Sequence, residues 1–132
     1  MTLVDTNVII DILTDDPAWA GRSIGALAAA ARRGPLAIND TVYAELSAGF
    51  ATQADLEEAI AEMRLVLEPM SRPALFLAGQ AFRRYRTSGG SRLNVIADFF
   101  IGAQASAERW PLLTRDARLY RSYFPDVAIV GA

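Results

Sequence analysis

Five short apolar runs, each separated from the next by stretches of helical period, divide the chain into alternating units. Residues 2–4 (TLV) read as a short buried strand. The turn DTN then opens a short helix, VIIDIL, that stops before Asp15-Asp16-Pro17. Residues 18–33 have helical spacing, with Trp19, Ile24, Leu27 and Ala28 near one face, and Gly34-Pro35 ends them. LAI (36–38) is a second strand, and Asn39 or Asp40 can cap the helix TVYAELSAGF. Residues 54–66 predict another helix, with apolar positions at 56, 60, 63 and 66–67, and VLEPM (66–70) contains a third strand. Residues 72–87 are helical, with Leu75, Phe76, Phe82 and Tyr85 expected in the core. TSGGSR (87–92) reads as a flexible loop. A strongly apolar helix over 95–109, a strand PLLT (111–114), a short helix in RDARLYRSYF and a strand VAIV (127–130) complete the pattern.

Strands of this kind, alternating with helices throughout, predict an α/β fold: a parallel sheet covered by helices on both faces. The 132 residues hold no repeat or low-complexity segment, so 1–132 reads as one domain. In such sheets ligands sit beyond the carboxyl ends of the strands.

Composition narrows the chemistry. With no cysteine, disulfide scaffolds, structural zinc and thiol catalysis are excluded. MTLVDTN lacks a secretory pattern, and the apolar stretches are too broken to span a bilayer, so a cytoplasmic location is expected and no membrane partner. There is no histidine, and all 13 basic residues are arginine. Ser-His-Asp triads, Schiff bases, histidine-based RNA cleavage and the P-loop are therefore out. Carboxylates must carry any catalysis. The net charge of −2 does not advertise nucleic-acid binding, yet arginines crowd the second half, at 83–92 and 109–121.

Four acids stand where the sheet rule makes them meaningful. Asp5 directly follows strand TLV, and Asp116 follows PLLT by two residues. Glu45 lies in the first turns of the helix after LAI. Asp98 lies early in the helix leading to PLLT and joins the others if that helix starts at the carboxyl edge. Carboxylates brought together repel unless cations neutralise them, and oxygen-only ligands suit Mg²⁺ or Mn²⁺. Each has an alternative reading: helix caps for Asp5 and Asp116, a solvated helix face for Glu45. Asp98 is hardest to dismiss, because it interrupts the almost wholly apolar VIADFFIGA.

LVDTNVIID, YAEL, IADFFIGAQA and LLTRDARLYRSYFP, in that order and at these spacings, together resemble the PIN-domain family. Within it they resemble the VapC-type toxin nucleases of bacterial toxin–antitoxin pairs. The resemblance runs from Met1 to about Ala128 and is weakest over 50–90. It implies a three-layer fold with a five-stranded parallel sheet and Mg²⁺- or Mn²⁺-dependent endonucleolytic hydrolysis of RNA. It implies catalytic and metal-holding roles for Asp5, Glu45, Asp98 and Asp116. Thr114 falls at an accessory position that orients Asp116 or a water, and Asn7 at a weaker one. Arg83, Arg84, Arg86, Arg92 and Arg115 are candidates to hold the RNA backbone, with solvated helix faces as the alternative.

The implied partners are a cognate antitoxin and a second copy of the chain. The antitoxin is expected to lay an amphipathic helix in an apolar groove formed by the early helices, including VIIDIL and the one bearing Trp19, Ile24 and Leu27. Its tail is expected to place a basic side chain among the four acids. Two positions depart from many relatives: Ala97 stands where a proline is common, and Gln104 where a histidine is. Neither departure removes a carboxylate. The competing readings are a DNA-directed member of the superfamily, a housekeeping nuclease and an inactive PIN-like binding module. A dehalogenase-like phosphatase wants a DxD pair and a lysine, whereas this chain has Asp5-Thr6-Asn7 and no lysine.

Overall fold

Strands of three residues suffice when they are buried on both faces, and the three central strands here are. The computed structural model describes residues 1–92 and 95–131. β1 (Thr2–Val4), β2 (Leu36–Ile38) and β4 (Leu112–Thr114) are buried throughout. β3 (Leu65–Leu67) and β5 (Ile129–Gly131) form the more exposed edges. The sheet is parallel, in the order β3-β2-β1-β4-β5. The chain thus builds outward from β1 to β3, then crosses back to place β4 on the other side of β1. The strand order reverses between β1 and β4, and a crevice opens there at the carboxyl edge.

Seven helices connect the strands among the described residues: α1 (Thr6–Leu13), α2 (Ala20–Arg33), α3 (Asp40–Ser47), α4 (Gln53–Glu62), α5 (Arg72–Thr87), α6 (Ile96–Glu108) and α7 (Arg118–Tyr123). The right-handed crossover rule applied to this strand order predicts α1–α4 and α5–α7 on opposite faces. The packing follows this division: α1 lies on α2, α5 on α6, and α6 on α7, while α3 touches both α1 and α6. Among the described residues no helix is long and apolar enough to cross a membrane.

Local chemistry sets the boundaries. Asn39, Thr52 and Ser71 cap α3, α4 and α5 by accepting from the amides of Val42, Asp55 and Ala74. Arg64 and Arg109, both left-handed at φ 56° and 59°, end α4 and α6. β3 therefore begins at residue 65 instead of 66, and β5 falls at 129–131 instead of 127–130.

Two helix faces differ from the periodicity reading. α5 buries Ala74, Ala78 and Ala81, while Leu75 and Phe76 are 45% and 68% exposed. Small residues at this spacing let α5 approach α6 closely, and the large ones are turned away. Phe82 and Tyr85 do pack inward, in an aromatic cluster with Phe99 and Tyr123. α2 likewise buries Ala20, Ser23 and Ala30 and exposes Ile24 and Ala28. The loop over 87–92, read as flexible, is pinned to Tyr85. The Gly90 amide donates to the Tyr85 carbonyl and the Arg92 amide to its hydroxyl.

Candidate active site

Asp5 leaves β1 at the strand-order reversal, and its amide still donates to the Leu113 carbonyl of β4. It occupies the N-cap position of α1, yet its side chain makes no capping bond. The carboxylate turns across the sheet edge instead. Its Oδ2 accepts from Thr114 Oγ1 and from the Tyr120 hydroxyl, each at 2.8 Å, with Asn7 Nδ2 at 3.5 Å. Asp5 is almost fully buried, and burial pushes its pKa up; Thr114, Tyr120 and the Thr6 amide pull it back, and Glu45 adds repulsion.

Asp98 sits half-buried in the first turn of α6. Its pKa is raised to about 7, first by burial, then by the negative charges of Asp5 and Glu45, with Asp116 adding a smaller push. Asp98 thus feels the charge of each of the other three sequence-predicted acids at the carboxyl edge. Glu45 is exposed on α3, and its Oε1 accepts from Thr6 Oγ1 at 2.6 Å. Asp116 is exposed in the β4–α7 loop, where its Oδ1 accepts weakly from the Arg118 amide at 3.4 Å. Its own amide donates to Thr114 Oγ1 at 3.1 Å, which ties Asp116 and Asp5 to one hydroxyl.

Among the described residues no three acidic side chains lie close enough to hold a common ion as they stand. Nor does any of the four acids have an ion-pair partner among those residues. The set is thus a loose ring of acids, Asp5 buried and Asp98 half-buried, Glu45 and Asp116 exposed. Its donors are all hard carboxylate oxygens, which fit Mg²⁺ or Mn²⁺ by chemistry. A pocket of about 270 Å³ opens beside it, lined by Asp98, Asp116, Arg92, Arg118, Val95, Leu119 and Ser122.

The arginines separate. Arg92 reaches the acidic pocket, as does Arg118. Arg83 and Arg84 line a different depression, with Arg84 donating to the Tyr123 carbonyl, and Arg86 lies over the Phe82 ring. Arg115 is held from one side: its Nε pairs with the buried Asp11 at 2.8 Å, and its guanidinium lies 5.1 Å from the Trp19 ring. Ser23 donates to the same Asp11 oxygen at 3.0 Å, and the Arg115 amide reaches Asn7 Oδ1 at 3.4 Å. This cluster anchors the loop that carries Asp116. Gln104 is buried and donates to the Glu68 and Pro69 carbonyls.

Tyr120 is the site residue that sequence reasoning missed. In RLYRSYF it looks like one more apolar face of a short helix. The one signal was its place four residues beyond Asp116, where an aromatic ring with a polar tip can fold back over the strand ends. Its hydroxyl also lies 3.4 Å from Asp98 Oδ1, and burial, with the charges of Asp5 and Asp98, holds its pKa well above the ordinary value. It remains a donor.

Comparison with curated protein sequences returns no match. Solved structures are similar over nearly the whole chain. VapBC2 from Rickettsia felis bound to a promoter DNA fragment aligns with TM-score 0.74 at 20% identity, covering 98% of this chain and 97% of that one. FitAcB from Neisseria gonorrhoeae aligns with TM-score 0.71 at 24% identity, covering 99% and 97%. VapBC-1 from nontypeable Haemophilus influenzae aligns with TM-score 0.72 at 19% identity, covering 98% and 96%. Those likenesses establish the fold. The family model of the PIN domain matches residues 2–125, nearly the full length, and the chain belongs to the PIN-domain family.

Proposed function

We propose that this chain is a divalent-cation-dependent endoribonuclease of the VapC toxin type, restrained by a cognate antitoxin. The observation that carries the reading is the state of Asp98. Its half-buried carboxyl is raised to about 7 by burial and by the charges of the other three acids, and none of the four has an arginine partner among the described residues. Such crowding is a standing cost without a cation. Asp5, Glu45, Asp98 and Asp116 would hold the ion, with the exposed Glu45 and Asp116 turning inward. When bound, it supplies positive charge to a phosphodiester and acidifies water.

The chain's own residues do the remaining work. Thr114 and Tyr120 fix Asp5, and Thr6 fixes Glu45. Arg92 and Arg118 line the acidic pocket, which supports a role in holding the phosphates of the strand being cut. The anchored Arg115 holds the Asp116 loop. RNA as the substrate rests on the family resemblance.

The antitoxin reading is supported by the similar structures, several of which are toxin–antitoxin complexes. The apolar groove on this chain, about 300 Å³, lies between α1 and the segment around the end of α3. It is formed by Ile10, Leu13, Leu46 and Phe50, with Glu45 on its lining. One wall of this groove comes from α3; beside α2, the Trp19 ring carries the guanidinium groups of Arg22 and Arg115. An amphipathic helix in this groove passes beside Glu45, from where a basic side chain can reach the acids. A second copy of the chain is the other partner proposed.

The test is incubation of purified protein with total RNA, with Mg²⁺, Mn²⁺ or excess EDTA, and mapping of cut ends. Discrete internal cuts that require the metal are expected. Full cleavage in EDTA sinks the metal mechanism, and cleavage of DNA alone points to the DNA-directed alternative.

A further inference from the structure

The Tyr120 ring is fully enclosed and packs on α6 at Gly102. A buried tyrosine needs only one acceptor for its hydroxyl. Here the hydroxyl stands between carboxylates from two different elements, 2.8 Å from Asp5 Oδ2 and 3.4 Å from Asp98 Oδ1. Thr114 Oγ1 donates to the same Asp5 oxygen, also at 2.8 Å. With the longer contact from Asn7 Nδ2 at 3.5 Å, three donors converge on Oδ2, and Oδ1 is left as the Asp5 oxygen without a side-chain donor among the described residues.

We propose that Tyr120 is a positioning residue for the divalent cation, resting on the metal-dependent reading above. By holding Asp5 Oδ2 it presents Oδ1 to the ion, and by standing between Asp5 and Asp98 it sets the spacing of the two buried ligands. A carboxylate tethered through one oxygen loses little freedom on binding, and partners of this kind orient metal ligands in general. Phenylalanine in its place keeps the ring packing and removes the tether. A tyrosine serving only to fill space would change stability and leave ion affinity alone.

The experiment compares wild type, Tyr120→Phe and Tyr123→Phe, each checked for folding by thermal melting. Mn²⁺ binding is followed by electron paramagnetic resonance titration. Tyr123 is the control, because its half-buried ring sits in the aromatic cluster with Tyr85 and Phe99. Tyr120→Phe should weaken Mn²⁺ binding by about 10–100-fold, and Tyr123→Phe should leave it unchanged. Equal affinity in a folded Tyr120→Phe overturns the inference. Wild-type binding that is lost in Asp98→Asn upholds the metal site whichever way Tyr120→Phe falls, whereas no binding by wild type overturns the metal reading and this inference together.

A second measurement avoids the variant altogether. With 3-fluorotyrosine at all four tyrosines, substitution of Tyr43, Tyr85 and Tyr123 identifies the Tyr120 fluorine resonance. That resonance should move on Mg²⁺ addition with the midpoint of the ion titration. A fixed resonance while Mg²⁺ binds overturns the proposal.

Discussion

The Asp98 carboxyl, with a folded pKa of about 7 against an unfolded 3.8, holds a proton in the folded chain that the unfolded chain gives up. Through this group, metal-free stability falls as pH rises from about 4 to 7, and the cost is complete above that. Asp98→Asn should therefore raise the metal-free melting temperature at pH 8 by about 3 °C or more, with no gain at pH 4, while abolishing cleavage. A variant that unfolds instead would make Asp98 a structural residue. The same proton must leave before the carboxyl can hold a cation, so Mn²⁺ affinity should weaken below about pH 7; calorimetric titration across pH 5.5–8.5 measures it. Asp98 was legible in the sequence because a charge inside VIADFFIGA has no cheap place to go. Asp11 and Arg115 make a different case. Arg115→Met strands a buried carboxylate, and a loss of about 2–4 kcal/mol is expected in urea unfolding. Cleavage should fall in parallel, because the Asp116 loop loses its anchor. A stable, fully active Arg115→Met would remove that role.

At the scale of elements, α6 and α7 meet through a missing side chain. A Cβ on Gly102 would lie 2.4 Å from the Phe124 ring and 3.1 Å from that of Tyr120. Gly102→Ala should cost about 1–3 kcal/mol, read by urea unfolding, and should also weaken Mn²⁺ binding by displacing Tyr120. Unchanged unfolding would mean that α7 shifts without penalty. Element positions were readable because strand and helix periods differ so plainly; the faces of α2 and α5 were not. Periodicity assigns the largest apolar residues inward, as for Phe76 and Ile24. Close helix packing prefers alanines there, and that choice depends on how near the neighbouring helix comes.

The whole molecule decides the charge pattern around the acidic pocket. Arg92 and Arg118 come from different segments, yet line one pocket with Asp98 and Asp116. Replacing both with glutamine should weaken single-stranded RNA binding and make its salt slope shallower by about 0.7 for each phosphate no longer neutralised. An unchanged slope would put the backbone-binding cations elsewhere, for example at Arg83 and Arg84. Expression of the chain alone should arrest growth, and the Asp98→Asn form should not. Co-expression with the neighbouring small open reading frame should restore growth and give a stable complex. Leu13→Glu, which puts a charge in the α1–α3 groove, should break that complex and leave cleavage intact. A harmless wild-type chain that binds no partner would favour the housekeeping or inactive readings.

The order of strands and helices, and the acids at strand ends, were determined by the sequence itself, since both follow from local period and from where a charge interrupts it. Without lysine, histidine or cysteine, the chemistry too was confined to carboxylates before any fold was known. What only the tertiary structure decided are relations between distant segments. Tyr120 lies 115 residues from Asp5, and Arg115 lies 104 from Asp11. Each depends on the crossover that sets β4 beside β1. That crossover is fixed by burial of the whole sheet and leaves no mark on the residues it brings together.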